Sequence, residues 1–256
     1  SASPAAADDE GFAARYGGAL AELERRLKED SRVREVTFSL TSPGRELAVV
    51  LEAEGLPVPI DPVDAGIVEG TKRGTLVRLN RVAPNLFSAF DVPVSIGRNL
   101  TAADAGAGDG APGVLVSRRL VDQVFGGANP LGRRIKYVGR SSEVASKNVV
   151  LERWYEIVGV VPDFPVRAPF DDESEGRVYH AAAASDLYPA RLQVRARTGD
   201  PAALADPLRA LSASIDPDVL LLDVSTAELA FRKARGVMRL MGASLGLLIL
   251  SVMLLS

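Results

Sequence analysis

The run "LMGASLGLLILSVMLLS", from Leu240 to Ser256, carries no charge, although it follows a chain in which 25% of the residues are charged. A hydrocarbon core about 30 Å thick takes roughly 20 apolar residues of helix to cross. The run therefore reads as a membrane span cut short at Ser256, assigned to residues 237–256. It is apolar on all faces, and Gly242 and Gly246 stand in the G-x-x-x-G spacing that lets a neighbouring helix approach closely in lipid. Just before it, Arg232, Lys233, Arg235 and Arg239 form a basic collar suited to a headgroup layer. The competing reading is a buried C-terminal helix of a soluble core, which an apolar run of this length also fits.

The opening "SASPAAADDEG" is small and acidic, lacks the apolar centre of a secretory signal, and reads as a linker. The two ends together suggest a domain lying between two spans of a membrane protein. At 256 residues the chain has room for one large or two small domains. A net charge of −3 gives no basic field, so no nucleic-acid partner is expected. The absence of cysteine excludes a disulfide framework, a zinc ribbon and a thiol nucleophile.

Between the ends, helix and strand patterns alternate. Phe12, Tyr16, Leu20, Leu23 and Leu27 recur at helical spacing and predict an amphipathic helix ending near Asp30. Val36, Phe38 and Leu40 alternate with polar residues, a Ser42-Pro43-Gly44 turn follows, and Leu47 to Glu52 is again strand-like, which predicts a hairpin. "EGLPVPIDPVDAG" reads as a loop, and strand pattern resumes from Leu76 to Val82. The middle of the chain holds a short apolar run from Val114 to Val116, a helical "SRRLVDQVF", a turn at "GGANPLG", and strands at "RRIKYV" and "WYEIVGVV". It reads as a β-rich insert. Beyond it, Arg191 to Ala196 alternates as a strand. Asp200-Pro201 then caps a helix carrying Leu204, Leu208, Leu211 and Ile215, with Pro207 a misfit unless the helix starts beside it, and "VLLLDV" reads as a last strand.

No catalytic motif is present in the sequence. His180 is the only histidine, with no G-x-S-x-G serine to serve, and it reads as a residue at a strand end. There is no P-loop and no H-E-x-x-H. The acidic "FDDESEG" lacks the alternating ligand spacing of a calcium loop. Neither metal nor cofactor is expected.

Four stretches in order, "RVAPNLFSAFDVPVSIGRNLTAAD", "VLVSRRLVDQVFGGANPLGRRI", "YEIVGVVPDF" and "VRARTGDPAALADPLRALSASIDPD", resemble the MacB-like periplasmic core domain of FtsX-like ABC transporter permeases, most closely the duplicated orphan permeases. The resemblance spans roughly residues 76 to 224. Its landmarks fall on Pro84 and Phe87; on Gly97, Arg98 and Asp104; on Phe125, Asn129, Pro130, Leu131 and Gly132; and on Val158, Gly159 and Val160. Most have a structural reading: turns at Pro130 and Gly132, a close backbone approach at Gly159, and a charge-assisted pair between Arg98 and Asp104.

The resemblance implies an α+β fold, with a porter-like part made of residues 1–83 and 166–232 around an inserted β-rich part, 84–165, followed by the span. It implies a non-catalytic permease domain facing the periplasm or extracytoplasmic space of a bacterial inner membrane. The domain would couple ATP-driven helix movement to export or envelope mechanotransmission. Its implied partners are an ABC nucleotide-binding subunit or domain, a second permease or pseudo-dimer half, membrane lipid and an envelope partner. The basic collar alone would argue for the cytoplasm. The rival reading is a membrane-tethered enzyme or solute-binding domain without a transporter.

Overall fold

A computed structural model describes residues 4–42, 46–56, 74–105, 111–138, 153–163 and 175–216, with 224 and 226. Helix α1 (Pro4–Glu29) leads into strand β1 (Val33–Ser39). Strands β2 (Leu47–Ala53) and β3 (Thr75–Val82) precede the one-turn helix α2 (Leu86–Ala89) and the short β4 (Ile96–Gly97). Then come β5 (Gly113–Ser117), α3 (Arg118–Phe125), β6 (Arg134–Val138), β7 (Trp154–Val161), β8 (Gly176–Ala181), β9 (Arg191–Ala196) and α4 (Ala205–Ile215). The fold is α+β. Among the described residues no helix is long and apolar enough to cross a membrane; the expected span, its collar and, but for Val224, the "VLLLDV" strand lie outside them.

Six strands form a closed ring. The order β2-β6-β7-β5-β8-β3 returns to β2 through the pairs Leu47↔Leu79, Val49↔Val77 and Leu51↔Thr75. The β3/β8 and β5/β7 pairs are parallel and the other four antiparallel. Closure explains the composition of these strands, since alternate residues such as Val49, Leu51, Val77, Leu79, Val114, Ile135, Ile157 and Val178 meet in one buried core. The ring draws on both sides of position 83: β2 and β3 pair with strands of the predicted insert.

The predicted hairpin between residues 36–40 and 47–52 does not form. Strand β1 pairs instead with β9 (Val36↔Val194, Phe38↔Leu192) and meets β3 only at Ser39↔Val82. A local turn signal cannot outweigh the ring, which takes both edges of β2. The β1/β9 register shifts between Val33 and Glu35, so a bulge at Arg34 lets Val33, Val36 and Phe38 all face the core beneath α1. There they join Leu20, Leu23 and Leu27, the helix face anticipated from spacing.

Helix α4 lies antiparallel to α1. Its C-cap Asp216 is 3.5 Å from Arg15, and its first turns share a groove with Leu27 and Asp30. Asp200 caps a 3-10 turn, accepting from the Ala202 amide at 2.9 Å, before α4 begins at Ala205. Pro207 therefore sits in the first turn, where its missing N–H costs no helical hydrogen bond.

Candidate functional site: a structural knot on β7

Landmark residues distant in sequence converge on β7. Its Val158-Gly159-Val160 segment is flanked by β5 on one side and β4 on the other, with Ile96↔Val160 and Gly97↔Gly159 in register. The Arg98 amide donates to the Val158 carbonyl at 2.9 Å, and the Ser95 amide to the Val160 carbonyl at 2.7 Å. Gly97 and Gly159 are where the two backbones touch. A Cβ on Gly97 would lie 2.3 Å from the Val158 carbonyl oxygen and 2.8 Å from Leu131, and one on Gly159 would lie 2.3 Å from the Arg98 carbonyl oxygen. Gly97 also has φ +82°, a region that side chains disfavour.

Asp104 ties the knot. Its carboxylate accepts from Arg98 Nη1 and Nη2 at 2.7 and 2.8 Å and from the Thr101 amide and hydroxyl, each at 2.8 Å. Asp104 is buried while Arg98 is half exposed. The guanidinium first, then the Thr101 donors, lower the Asp104 pKa to about 2 against the burial that would raise it. The bidentate pair is therefore charged at any ordinary pH. Asp104→Asn is expected to cost about 2 kcal/mol, because the amide forfeits the fork and turns two donors toward donors; urea unfolding of the variant against wild type checks this.

The "NPLG" turn is tied to the same strand. Asn129 Oδ1 accepts from the Leu131 amide at 3.2 Å, Pro130 is buried, and the Gly132 amide donates to the Ile157 carbonyl at 3.0 Å. Phe125 closes α3 beneath the Arg133 guanidinium, 5.6 Å from its ring centre. Phe87 belongs to a second core with Leu100, Leu115, Val161 and Tyr179 on the outer face of the ring, and meets the Tyr179 ring edge-on at 4.9 Å. Pro84, half-buried, precedes α2. Gly242, Gly246, Arg232, Lys233, Arg235 and Arg239 lie outside the described residues.

Two groupings escape the motif reading. Inside the ring, the Tyr137 hydroxyl is 2.6 Å from His180 Nε2 and the Tyr155 ring meets the imidazole edge-on at 4.6 Å. Burial first, then the nearby Arg81 cation, depress the His180 pKa to about 3, so the imidazole is neutral. Burial pushes the Tyr137 phenol well above its usual range. The second grouping joins α2 to the β1/β9 pair: Asn85 accepts from Thr37 and donates to the Val36 carbonyl, while Asp91 is held by Arg34 and Arg195. Alternation placed Thr37 and Arg195 on strands; nothing in their spacing signals partners so far away along the chain.

These contacts tie strands and loops together, and among the described residues no group of histidine and acidic side chains is arranged to hold a metal. The arrangement is that of an α+β domain built on a closed strand ring with a helix-covered strand pair. The profile of the MacB-like periplasmic core domain matches residues 16–211. The chain belongs to that family, the periplasmic domains of MacB/FtsX-like ABC transporter permeases, which are non-catalytic. Among solved structures it is similar to the periplasmic region of MacB from Actinobacillus actinomycetemcomitans, at 16% identity over 75% of this chain and 72% of that one, with a TM-score of 0.46. It is also similar to the extracellular domain of the noncanonic ABC-type transporter YknZ from Gram-positive bacteria, at 15% identity over 77% and 81%, with a TM-score of 0.44. No curated protein matches it.

Proposed function

We propose that this domain is the extracytoplasmic coupling element of its permease. ATP hydrolysis on a separate nucleotide-binding subunit or domain shifts the membrane helices, and the domain carries that shift outward to cargo export or to an envelope partner. The observation that carries the reading is the family match over residues 16–211, together with the known association of such permeases with ABC ATPases. In this reading residues 237–256 begin a span and a second permease or pseudo-dimer half opposes this one. Residues 1–83 with 166–232 act as the porter-like part around 84–165, with β2 and β3 shared through the ring. A domain of this kind moves between discrete arrangements rather than deforming continuously.

The test begins with location. In the full-length permease, with other cysteines replaced, Ala128→Cys adds one thiol at an exposed turn. A maleimide that cannot cross the inner membrane is expected to label it equally in intact and lysed cells, at a rate that changes when the paired ATPase is trapped with nucleotide. Labelling only after lysis would place the domain inside and remove the proposal; a rate indifferent to nucleotide would remove the coupling.

A further inference from the structure

The helix-covered β1/β9 pair meets the ring through a narrow backbone joint. The single bridge Ser39↔Val82 is flanked by two hydrogen bonds, from the Leu40 amide to the Arg81 carbonyl and from the Ala83 amide to the Phe38 carbonyl, both 2.8 Å. Side chains of the following turn supplement it. Helix α2 is wedged between the two parts: Phe87 is packed into the ring's outer core, while Asn85 bonds to Thr37 and the Val36 carbonyl. At the far end of the wedge, Arg195 Nη1 donates to the Ala89 carbonyl at 3.0 Å and its Nη2 lies 2.7 Å from Asp91; Arg34, the bulged residue of β1, reaches the same carboxylate at 3.4 Å. Both strands of the pair thus grip one side chain.

That side chain sits on an unusual backbone. Asp91, at φ 56°, is the one non-glycine residue among those described with positive φ, a conformation an aspartate adopts at some cost. Backbone bonds of the α2 turn set that conformation, from the Asp91 amide to the Ser88 carbonyl at 3.1 Å and from the Val92 amide to the Phe87 carbonyl at 2.8 Å, whereas the ion pairs that grip the carboxylate are exposed, with Asp91 at 54% and Arg195 at 37% side-chain exposure. Ion pairs in such a setting are weak and screened by salt. A carboxylate fixed on the end of α2 and gripped from both strands by breakable charges, beside a one-bridge joint, has the parts of a two-state element.

We propose that Asp91, gripped by Arg34 and Arg195, is a reversible latch that sets how the β1/β9 pair and its helices pivot against the ring about the Ser39/Val82 bridge. This rests on the coupling function proposed above and names the point at which that movement is gated. Opening the latch releases Arg34 of β1 and Arg195 of β9 from the end of α2, which stays attached to the ring through Phe87. In this proposal the ring, with α2 packed on it, is the frame and the strand pair the moving part.

The experiment uses the full-length permease with its ATPase in lipid nanodiscs, spin-labelled through Ala128→Cys on the ring and Ala210→Cys on α4. Asp91→Asn tolerates the same backbone but loses the charge, and is expected to raise the population at a second inter-label distance about two- to fivefold at low salt. Raising salt from about 0.05 to about 0.5 M should do the same to wild type and little to the variant. The double change Arg34→Gln with Arg195→Gln should reproduce the effect independently of Asp91. Identical distance distributions in all three proteins at both salts would overturn the latch. Trapping with nucleotide separates the two ideas. If ATP moves the distance equally in wild type and Asp91→Asn, the latch falls and coupling stands; if the variants shift the distance but ATP does not, the latch stands and coupling falls.

Discussion

Acidification from about pH 7 to about pH 4.5 is expected to remove about 3 kcal/mol of stability from this domain through His180 alone. The imidazole is buried inside the ring beside Tyr137 and Tyr155, with the Arg81 cation nearby, and its pKa is lowered to about 3. In the unfolded chain an imidazole titrates near 6.5. Between those values the unfolded state binds the proton and the folded state does not, so stability is full above about pH 6.5, falls with pH below it, and levels off near the folded value. Asp104 acts in the same direction but lower, because its pKa of about 2 lies below the usual carboxylate range; its contribution is lost only below about pH 4. Urea midpoints measured down this range should therefore fall in two stages. His180→Gln, which keeps a hydrogen-bonding partner for Tyr137 without a titrating ring, should flatten the upper stage and leave the lower one. An unchanged slope in the variant would mean that another group carries the acid sensitivity.

Gly159→Ala should be among the most damaging single-methyl additions in the described part of the domain. The added carbon would lie 2.3 Å from the Arg98 carbonyl oxygen, 2.7 Å from Leu115 and 3.1 Å from Val94. Side chains can turn aside, but the carbonyl belongs to backbone that Asp104 anchors through the Arg98 guanidinium. Relief requires β4 to lift from β7, with loss of the Ser95 and Arg98 amide bonds, and the cost is about 3 kcal/mol or more. A fall in Tm of roughly 6 to 12 °C follows for a domain of this size. Gly126→Asn is the control: Gly126 caps α3 at φ +59° with nothing within 4 Å of its missing Cβ, and asparagine tolerates that conformation, so the loss should stay below about 1 kcal/mol.

The parts of the structure that were legible in the sequence are those fixed by neighbours along the chain. Helix α1 follows from the spacing of Tyr16, Leu20, Leu23 and Leu27, and α3 from a helical run whose serine cap, Ser117, accepts from the Leu120 amide. Asp200 and Pro201 announced the approach to α4, though not that a 3-10 turn would come first and absorb the misfit of Pro207. Arg98 and Asp104 could be paired on paper because one turn of chain separates them. Strand partners could not. Alternation says that β2 has a buried face but is silent on which edges it offers, and the Ser42-Pro43-Gly44 signal favoured the neighbour in sequence over β3 and β6. His180 shows the same limit: its place near the end of β8 was visible, but its burial depends on Tyr137 arriving from a strand on the other side of the ring. The grip on Asp91 needed both the bulge at Arg34 and the arrival of β9, neither of which leaves a local signature.

Ring closure also sets the order in which this chain can fold. The parallel seam between β3 and β8 joins Val77 to Gly176 and Val82 to Ala181, residues nearly a hundred positions apart, whereas β2/β3 and β6/β7 join far nearer segments. Long-range parallel pairing forms late and slowly, since the entropy of the intervening chain is lost before any contact repays it. Until β8 arrives, the exposed edges of β3 and β5 are open to foreign strands. A polypeptide delivered through a membrane in extended form would pass through that open-edged intermediate each time, so its yield should depend more on the rate of the last seam than on the stability of the finished ring.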